Sequence, residues 1–396
     1  MRILYITTSY SPQQGVNFTR VHDLLSYFIK EELAVTVVTP QKINIFKNLS
    51  QVIVPYSSHK KDGLFLRYIK NFYSIKSDPQ PEQWVNDVEE YFKKHSEVVN
   101  HSTVVLINIG PLCLINLASY FKNKFGLKTA IDMHDSLAFT PERQNLFFLE
   151  RFFQNYEKKI FHDVDLLFTM TPSMKKIYQK FLPSLRIYYI PHVLFKKTGY
   201  YSKFKNDLKK KSTYKIIYGG SLHGSRTIIP LLKAVKKIRN NNKFEVEIIG
   251  NFSFLTKLRY FKYPQIVWKK SIPREKYYDY LSQYGDIGLV SQCFAVRHPH
   301  TGAIAAKTHE YLALNKAIIY LGHKGDNSEI IEKYSQNHFL FTDPTEKVEK
   351  LTTFLKNFQH RTQNTKEIFY SDFQAEKRYA IVKKTLQFIS KKYAKN

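Results

Sequence analysis

Acidic residues are scarce in this chain and cysteines scarcer. Thirty-three Asp and Glu stand against 61 Lys and Arg, a formal charge of +28. Two cysteines in 396 residues, Cys113 and Cys293, cannot build a disulfide framework or a zinc cluster, and they fit a reducing compartment. GxSxG, HExxH, P-loop and paired-cysteine motifs are all missing, which leaves hydrolase, zinc-protease and NTPase readings without support. One uncharged stretch, Ser102–Phe121, runs 20 residues, yet it does not read as a membrane span. Gly110-Pro111 interrupts it, and Asn108 and Asn116 count as buried polar costs. It reads as a strand (TVVLINI), a turn, and a helix starting near Pro111. Met1 runs straight into RILYITTSY, without the parts of a secretory signal, and a cytoplasmic protein is expected.

What is present is ample material for a core: 43% hydrophobic residues, 15% aromatic. The length calls for two domains. In the first half, RILYITTSY, AVTVVTP, TVVLINI, TAIDMHD and DLLFTMT read as strands, with helical patterns such as 17–32 between them. In the second half come YKIIYGG, FEVEIIG, QIVWKK, DIGLVS, AIIYLG and HFLFTD. Apolar, unalternating strands separated by helices imply parallel sheets covered on both faces. The expected fold is α/β, with two Rossmann-like, doubly wound domains facing a central cleft. The expected boundaries are 1–194 for the first domain, 195–212 for a basic linker, 213–371 for the second, and 372–396 for a basic C-terminal helix that can pack back on the first domain. The linker is marked by Lys196–Lys211, with seven lysines and one aspartate.

The positive charge implies an anionic partner. No nucleic-acid-binding signature accompanies it, so no nucleic acid is expected. Anionic membrane is the preferred partner, since each lysine near such a surface adds about 1 kcal/mol. The protein is then expected as a peripheral one at the inner face of the plasma membrane.

Doubly wound sheets bind ligands beyond the carboxyl ends of their strands. Four such loops carry candidates. The first holds Gly15 ahead of a helix whose amides could meet an anion; a plain turn is the alternative. The second is Asp132-Met133-His134-Asp135, where a carboxylate could fix one tautomer of His134; a packed histidine beside a capping Asp135 is the alternative. The third, Gly219-Gly220-Ser221-Leu222-His223-Gly224-Ser225-Arg226, brings a close backbone approach at Gly220 and a guanidinium suited to phosphate at Arg226. Its spacing is not GxGxxG, and a structural turn competes. The fourth, QCFAVRHPHTGAI, is long and polar and carries His300, Thr301 and Gly302; its two histidines lack a third ligand at metal-binding spacing. Asp163-Val164-Asp165 matches a DxD metal pattern but reads as capping between a helix and a strand.

The fourth loop leads into AAKTHEYLALNKAII, residues 305–319. Lys307 and Glu310 are neighbours on one helical turn. The cation suits a phosphate beside the helix amides, and the carboxylate suits two sugar hydroxyls. An ordinary surface ion pair is the alternative.

The glycine loop after the first strand, IDMHD, YGGSLHGSR and KTHEYLALNKAII together resemble the GT-B glycosyltransferases of the large retaining family 4. The resemblance covers nearly the whole chain and is most specific at 216–234 and 303–321. It implies that Arg226 and a nearby lysine bind the donor diphosphate; the family often places that lysine a few residues after the arginine, where this chain is apolar, and Lys307 is the candidate. It implies that Glu310 binds the ribose hydroxyls, that His134 contacts the transferred sugar or helps at its anomeric centre, and that the Gly15 loop approaches phosphate and acceptor. This chain departs at three places. Gly302 stands where many members carry the first of two glutamates, which leaves His300, Thr301 or the backbone amides of Gly302–Ala303 to meet the donor sugar. Gln14-Gly15 replaces a double glycine, and Pro191-His192-Val193 replaces PNG.

The resemblance implies a metal-independent, retaining hexosyltransferase, with no resident cofactor and UDP or GDP as the nucleotide of its donor. The acceptor expected is a saccharide or lipid-linked intermediate in cell-surface polysaccharide or glycolipid synthesis. A nucleotide-sugar epimerase of GT-B shape and, more remotely, a nucleic-acid-binding protein are the rival readings.

Overall fold

The computed structural model describes residues 1–11, 16–57, 79–100, 103–136, 138–139, 147–193, 213–220, 222, 226–238, 243–294, 304–359, 361 and 363–391. The chain forms two compact units. One takes residues 1–139, 146–193 and 375–396; the other takes 140–145 and 194–374. The basic stretch 195–212 lies outside the described residues.

The first unit holds a seven-stranded parallel sheet in the order β3-β2-β1-β4-β5-β6-β7. Its strands are β1 (Arg2–Ile6), β2 (Ala34–Thr39), β3 (Ser50–Ile53), β4 (Thr103–Ile109), β5 (Lys128–Met133), β6 (Leu166–Thr169) and β7 (Arg186–Tyr189). β4 is buried at every position, as its unbroken apolar run requires when helices cover both faces. Five of the seven strands are the five read from the sequence. The other two, β3 and β7, are four-residue edge strands. Each has an exposed position, so neither shows an apolar run.

The second unit holds a six-stranded parallel sheet in the order β10-β9-β8-β11-β12-β13. Its strands are β8 (Tyr214–Gly219), β9 (Phe244–Ile249), β10 (Ile266–Lys269), β11 (Ile287–Ser291), β12 (Ala317–Leu321) and β13 (His338–Phe341). All six match the sequence reading. β11 and β12 are buried throughout.

Each sheet reverses its strand order once, at β1/β4 and at β8/β11. These reversals open crevices at the carboxyl edge of a doubly wound sheet.

The final helix, Ala375–Lys391, returns to the first unit. Tyr379, Val382, Leu386 and Ile389 are buried, and the Tyr379 ring lies 5.7 Å from Tyr27 of the helix Val16–Lys30. Lys383 donates to Glu31 across 2.7 Å. Among the described residues, no helix is long and apolar enough to cross a membrane.

Asp163 and Asp165 do not cap a helix. Asp165 accepts from the Thr129 amide at 3.0 Å and from Lys128 at 2.8 Å, while the Asp163 carbonyl accepts from Thr129 Oγ1 at 3.0 Å. The pair ties the entry of β6 to the start of β5, because the buried edge there offers unpaired donors.

Candidate functional site

In the second unit, β8 ends in the Gly219-Gly220 turn, and the segment after β11 leads into the helix Ala306–Ala313. The two strands are neighbours at the order reversal. Lys307, in the first turn of that helix, donates its amine to the Gly219 carbonyl. The same amine lies 4.0 Å from the centroid of the Tyr218 ring, within cation–π range. The Arg226 guanidinium hydrogen-bonds the Tyr218 hydroxyl. One tyrosine thus holds a cation on its face and another at its edge.

Gly220 makes room for this. Its φ is +117°, in a region that favours glycine, and a Cβ there would fall 3.0 Å from Lys307 Nζ. A Cβ on Gly219 would fall 2.4 Å from the Tyr277 hydroxyl. The chain after Arg226 is fixed in turn. Ser291 Oγ donates to the Thr227 carbonyl at 2.9 Å, and the Ile229 amide donates to Thr227 Oγ1 at 3.2 Å. Pro230 then opens the helix Ile229–Lys236, its missing N–H costing nothing there.

Burial pushes the Lys307 amine down to about 7, and the Arg226 charge pushes the same way against the pull of Glu310. Lys307 as a whole is only part-buried; its amine end is the part held against Tyr218 and Gly219. Ala305, at the start of the helix Ala306–Ala313, offers no side chain to cap its first amides. An anion beside Arg226 and Lys307 would relieve both the repulsion between the two cations and the desolvation of the amine.

Glu310 lies one turn further along. It accepts from the Tyr278 hydroxyl at 3.0 Å. The two ends of the sequence pair therefore face different partners: Lys307 turns to the Gly219 carbonyl, and Glu310 meets Tyr278. Behind them Tyr311 donates to the Ile217 carbonyl at 3.1 Å and meets the Tyr277 hydroxyl at 3.2 Å. The second unit thus brings Gly220, Arg226, Lys307 and Glu310 to one edge.

His134 belongs to a separate network at the β1/β4 reversal of the first unit. It sits just past β5 and is buried. Of the two flanking acids, Asp132 does not hold the ring directly. Asp132 is engaged by Arg20, whose Nε and second guanidinium nitrogen meet Asp132 Oδ1 and Oδ2 at 2.6–2.9 Å. His134 Nε2 stands 3.9 Å from that carboxylate. The nearer partner is Asn108 of β4, whose Nδ2 lies 3.1 Å from Asp132 Oδ2 and 2.9 Å from His134 Nε2. A carboxylate only accepts, so the amide nitrogen must face it. The second amide hydrogen then points at Nε2, which accepts, and the ring proton sits on Nδ1. Burial pushes His134 down to about 4, and the attraction of Asp132 only partly offsets this. The ring is neutral at pH 7 and offers an N–H donor. Asn108 is therefore no uncompensated polar burial; its Oδ1 also accepts from Thr7 Oγ1 at 3.3 Å.

Gly15, His300, Thr301 and Gly302 lie outside the described residues. Sequence reading missed Tyr218 and Arg20, and it took Asn108 for a buried polar cost. Tyr218 ends an apolar run and reads as core. Arg20 lies on a helix face 112 residues from its partner.

No family model and no curated protein matches this chain. Solved structures do match along its whole length. Sucrose-phosphate synthase from Thermosynechococcus elongatus superposes with a TM-score of 0.69 at 11% identity, over 98% of this chain and 99% of that one. HepE of Anabaena in complex with UDP-glucose gives 0.67 at 11% identity, with 98% and 99% covered. WaaG, a glycosyltransferase involved in lipopolysaccharide biosynthesis, gives 0.56 at 12% identity, with 96% and 94% covered. The chain has the GT-B fold of these glycosyltransferases: two parallel-sheet α/β units of Rossmann type.

Proposed function

We propose that the protein transfers a sugar from a nucleoside-diphosphate sugar to an acceptor hydroxyl, with retention at the anomeric carbon, as the family 4 resemblance implies. The observation that carries this is the pair of cations, Arg226 and Lys307, held on one tyrosine beside the Gly219-Gly220 turn. Negative charge grows on the departing diphosphate as the glycosyl bond breaks. Fixed cations and helix amides stabilise that charge without reorganising. Glu310, one turn further, accepts hydrogen bonds from the ribose hydroxyls. His134 offers its Nδ1–H to a hydroxyl of the transferred sugar. The departing phosphate takes the acceptor's proton, so no side-chain nucleophile is required. His300, Thr301 or the Gly302–Ala303 amides meet the donor sugar, and Gly15 meets phosphate and acceptor. UDP or GDP is the donor nucleotide, and no resident cofactor or metal takes part. Neighbours of the same fold, HepE with UDP-glucose and WaaG, support the reading.

The acceptor is a saccharide or lipid-linked intermediate of cell-surface polysaccharide or glycolipid synthesis. The basic charge favours work at an anionic membrane surface, with the protein peripheral on its cytoplasmic face. A thermal-shift panel of nucleotides and nucleotide sugars tests the donor site, since a ligand at 100 times its Kd stabilises by about 2.7 kcal/mol. UDP or GDP and one of their sugars should raise the midpoint, and Arg226→Ala or Glu310→Ala should abolish both that shift and transfer. Near-normal turnover of either variant would overturn the assignment.

A further inference from the structure

The helix Phe254–Arg259 comes after β9 in the second unit and carries a surface that the sugar-transfer reading does not use. Phe254, Leu255 and Phe261 are 76%, 75% and 77% exposed, and Leu258 is also exposed. Phe254 and Leu258 are one turn apart on the helix, and Phe261 follows just past its end. Scattered exposed apolar residues are ordinary, but four large ones within eight positions make a patch. The segment is firmly seated: Tyr260 and Tyr263 are buried beneath it, and Phe252 packs on Trp268 with ring centroids 5.0 Å apart. The apolar side chains are therefore held outward by a fixed base.

Cations are interspersed with these side chains along the segment. Lys257, Arg259, Lys262 and Lys270 are all exposed. From Gly250 to Lys270 the chain has five basic residues and no acidic one. A twofold contact between copies of this face would set these charges against themselves. An anionic bilayer neutralises them and also takes up the aromatic and leucine side chains.

From this we infer that the 254–262 segment is the membrane-docking surface of the protein, inserting Phe254, Leu255, Leu258 and Phe261 among anionic headgroups. It deepens the peripheral-membrane reading above by giving it an address. The address is next to the proposed donor site: the Gly220 amide donates to Ile249 at the end of β9 across 2.9 Å. Docking here puts the Gly219–Gly220 edge near the bilayer, where a lipid-linked acceptor would lie.

The test is co-sedimentation of the full chain with vesicles of phosphatidylglycerol and phosphatidylcholine, against vesicles of phosphatidylcholine alone. Wild type should bind the mixed vesicles. Phe254→Ser/Phe261→Ser and Lys257→Ser/Lys262→Ser should each weaken that binding about tenfold. Thermal midpoint and UDP affinity should stay at wild-type values in both variants. Equal vesicle binding by wild type and the aromatic variant overturns the assignment while leaving membrane association in place. No vesicle binding by wild type overturns both. A wild-type dimer that the aromatic variant converts to monomer, without vesicle binding, assigns the face to a second copy instead. UDP binding is read separately in every case, so none of these outcomes bears on the donor site.

Discussion

Gly220 leaves empty the position from which a methyl group would crowd the Lys307 amine: a Cβ there would stand 3.0 Å from Nζ. The glycine at the end of one strand and the lysine on the helix after its neighbour are thus two halves of one device. The first provides clearance, the second charge.

Gly220→Ala should therefore do two things. It places a side chain at φ +117°, a strained conformation that costs about 1–3 kcal/mol. It also crowds the Lys307 amine, which must give way by a few tenths of an ångström where it meets Tyr218 and the Gly219 carbonyl. A lower thermal midpoint together with a roughly tenfold weaker UDP affinity, about 1.4 kcal/mol, is expected from melting curves and calorimetry.

Nucleotide binding should depend on pH through Lys307. The free amine loses its proton near pH 7, and a bound diphosphate raises that value by opposite charge. Binding then takes up a proton, so affinity falls as pH rises above 7, by up to about tenfold per unit. UDP is fully ionised there, since its last phosphate proton leaves near about pH 6. Calorimetry in buffers of different ionisation heat should show proton uptake, and Lys307→Met should bind weakly with no such dependence. The sign for folding is the opposite. Between about 7 and the ordinary 10.5 the unfolded chain keeps a proton the native site has lost, so Lys307 makes native stability rise with pH across that window.

His134 sets a window on the acid side. Its folded value of about 4 lies below the ordinary 6.5, so the unfolded chain binds the extra proton between them. The stability it contributes is complete above 6.5 and is lost as pH falls to 4, a loss on the order of 3 kcal/mol. His309, also buried and also pushed down to about 4 by desolvation, acts in the same window. His134→Gln should flatten part of the urea-midpoint profile between pH 6.5 and 4, leaving the share of His309.

Arg20 and Asp132 form a buried ion pair at 2.6 Å. Removing one partner strands the other, which costs about 3–5 kcal/mol. Arg20→Ala should lower the first unfolding transition in urea by that amount. Arg20→Met with Asp132→Asn should lose less than the two single changes together, because neither leaves a charge behind.

Much of this was legible in the residues. β4, β11 and β12 announce themselves because strands buried on both faces need unbroken apolar runs. β3 and β7 do not, because a short edge strand meets water at some of its positions. Arg226 stands out in the sequence because it follows a glycine-rich turn after a strand, where doubly wound sheets bind ligands, and Lys307 because it shares a helical turn with Glu310 after the next such loop. Tyr218, which holds both, stayed hidden because a buried aromatic at a strand end looks like packing. Asn108 was misread for a related reason. A buried amide is costly or useful according to its partners, and Asp132 and His134 come from a strand that only the fold sets beside it.

The last helix carries a consequence for how the molecule is made. Ala375–Lys391 covers the first unit, with Tyr379 against Tyr27. Most of that unit precedes the second in the chain, and its cover follows the second. Domains ordinarily fold in the order of synthesis, but here the earlier one waits for the later one to be translated. During that wait the sites of Tyr27 and Glu31 lie open. Loss of the chain from residue 375 onward would therefore harm the first unit while leaving every residue of the second in place.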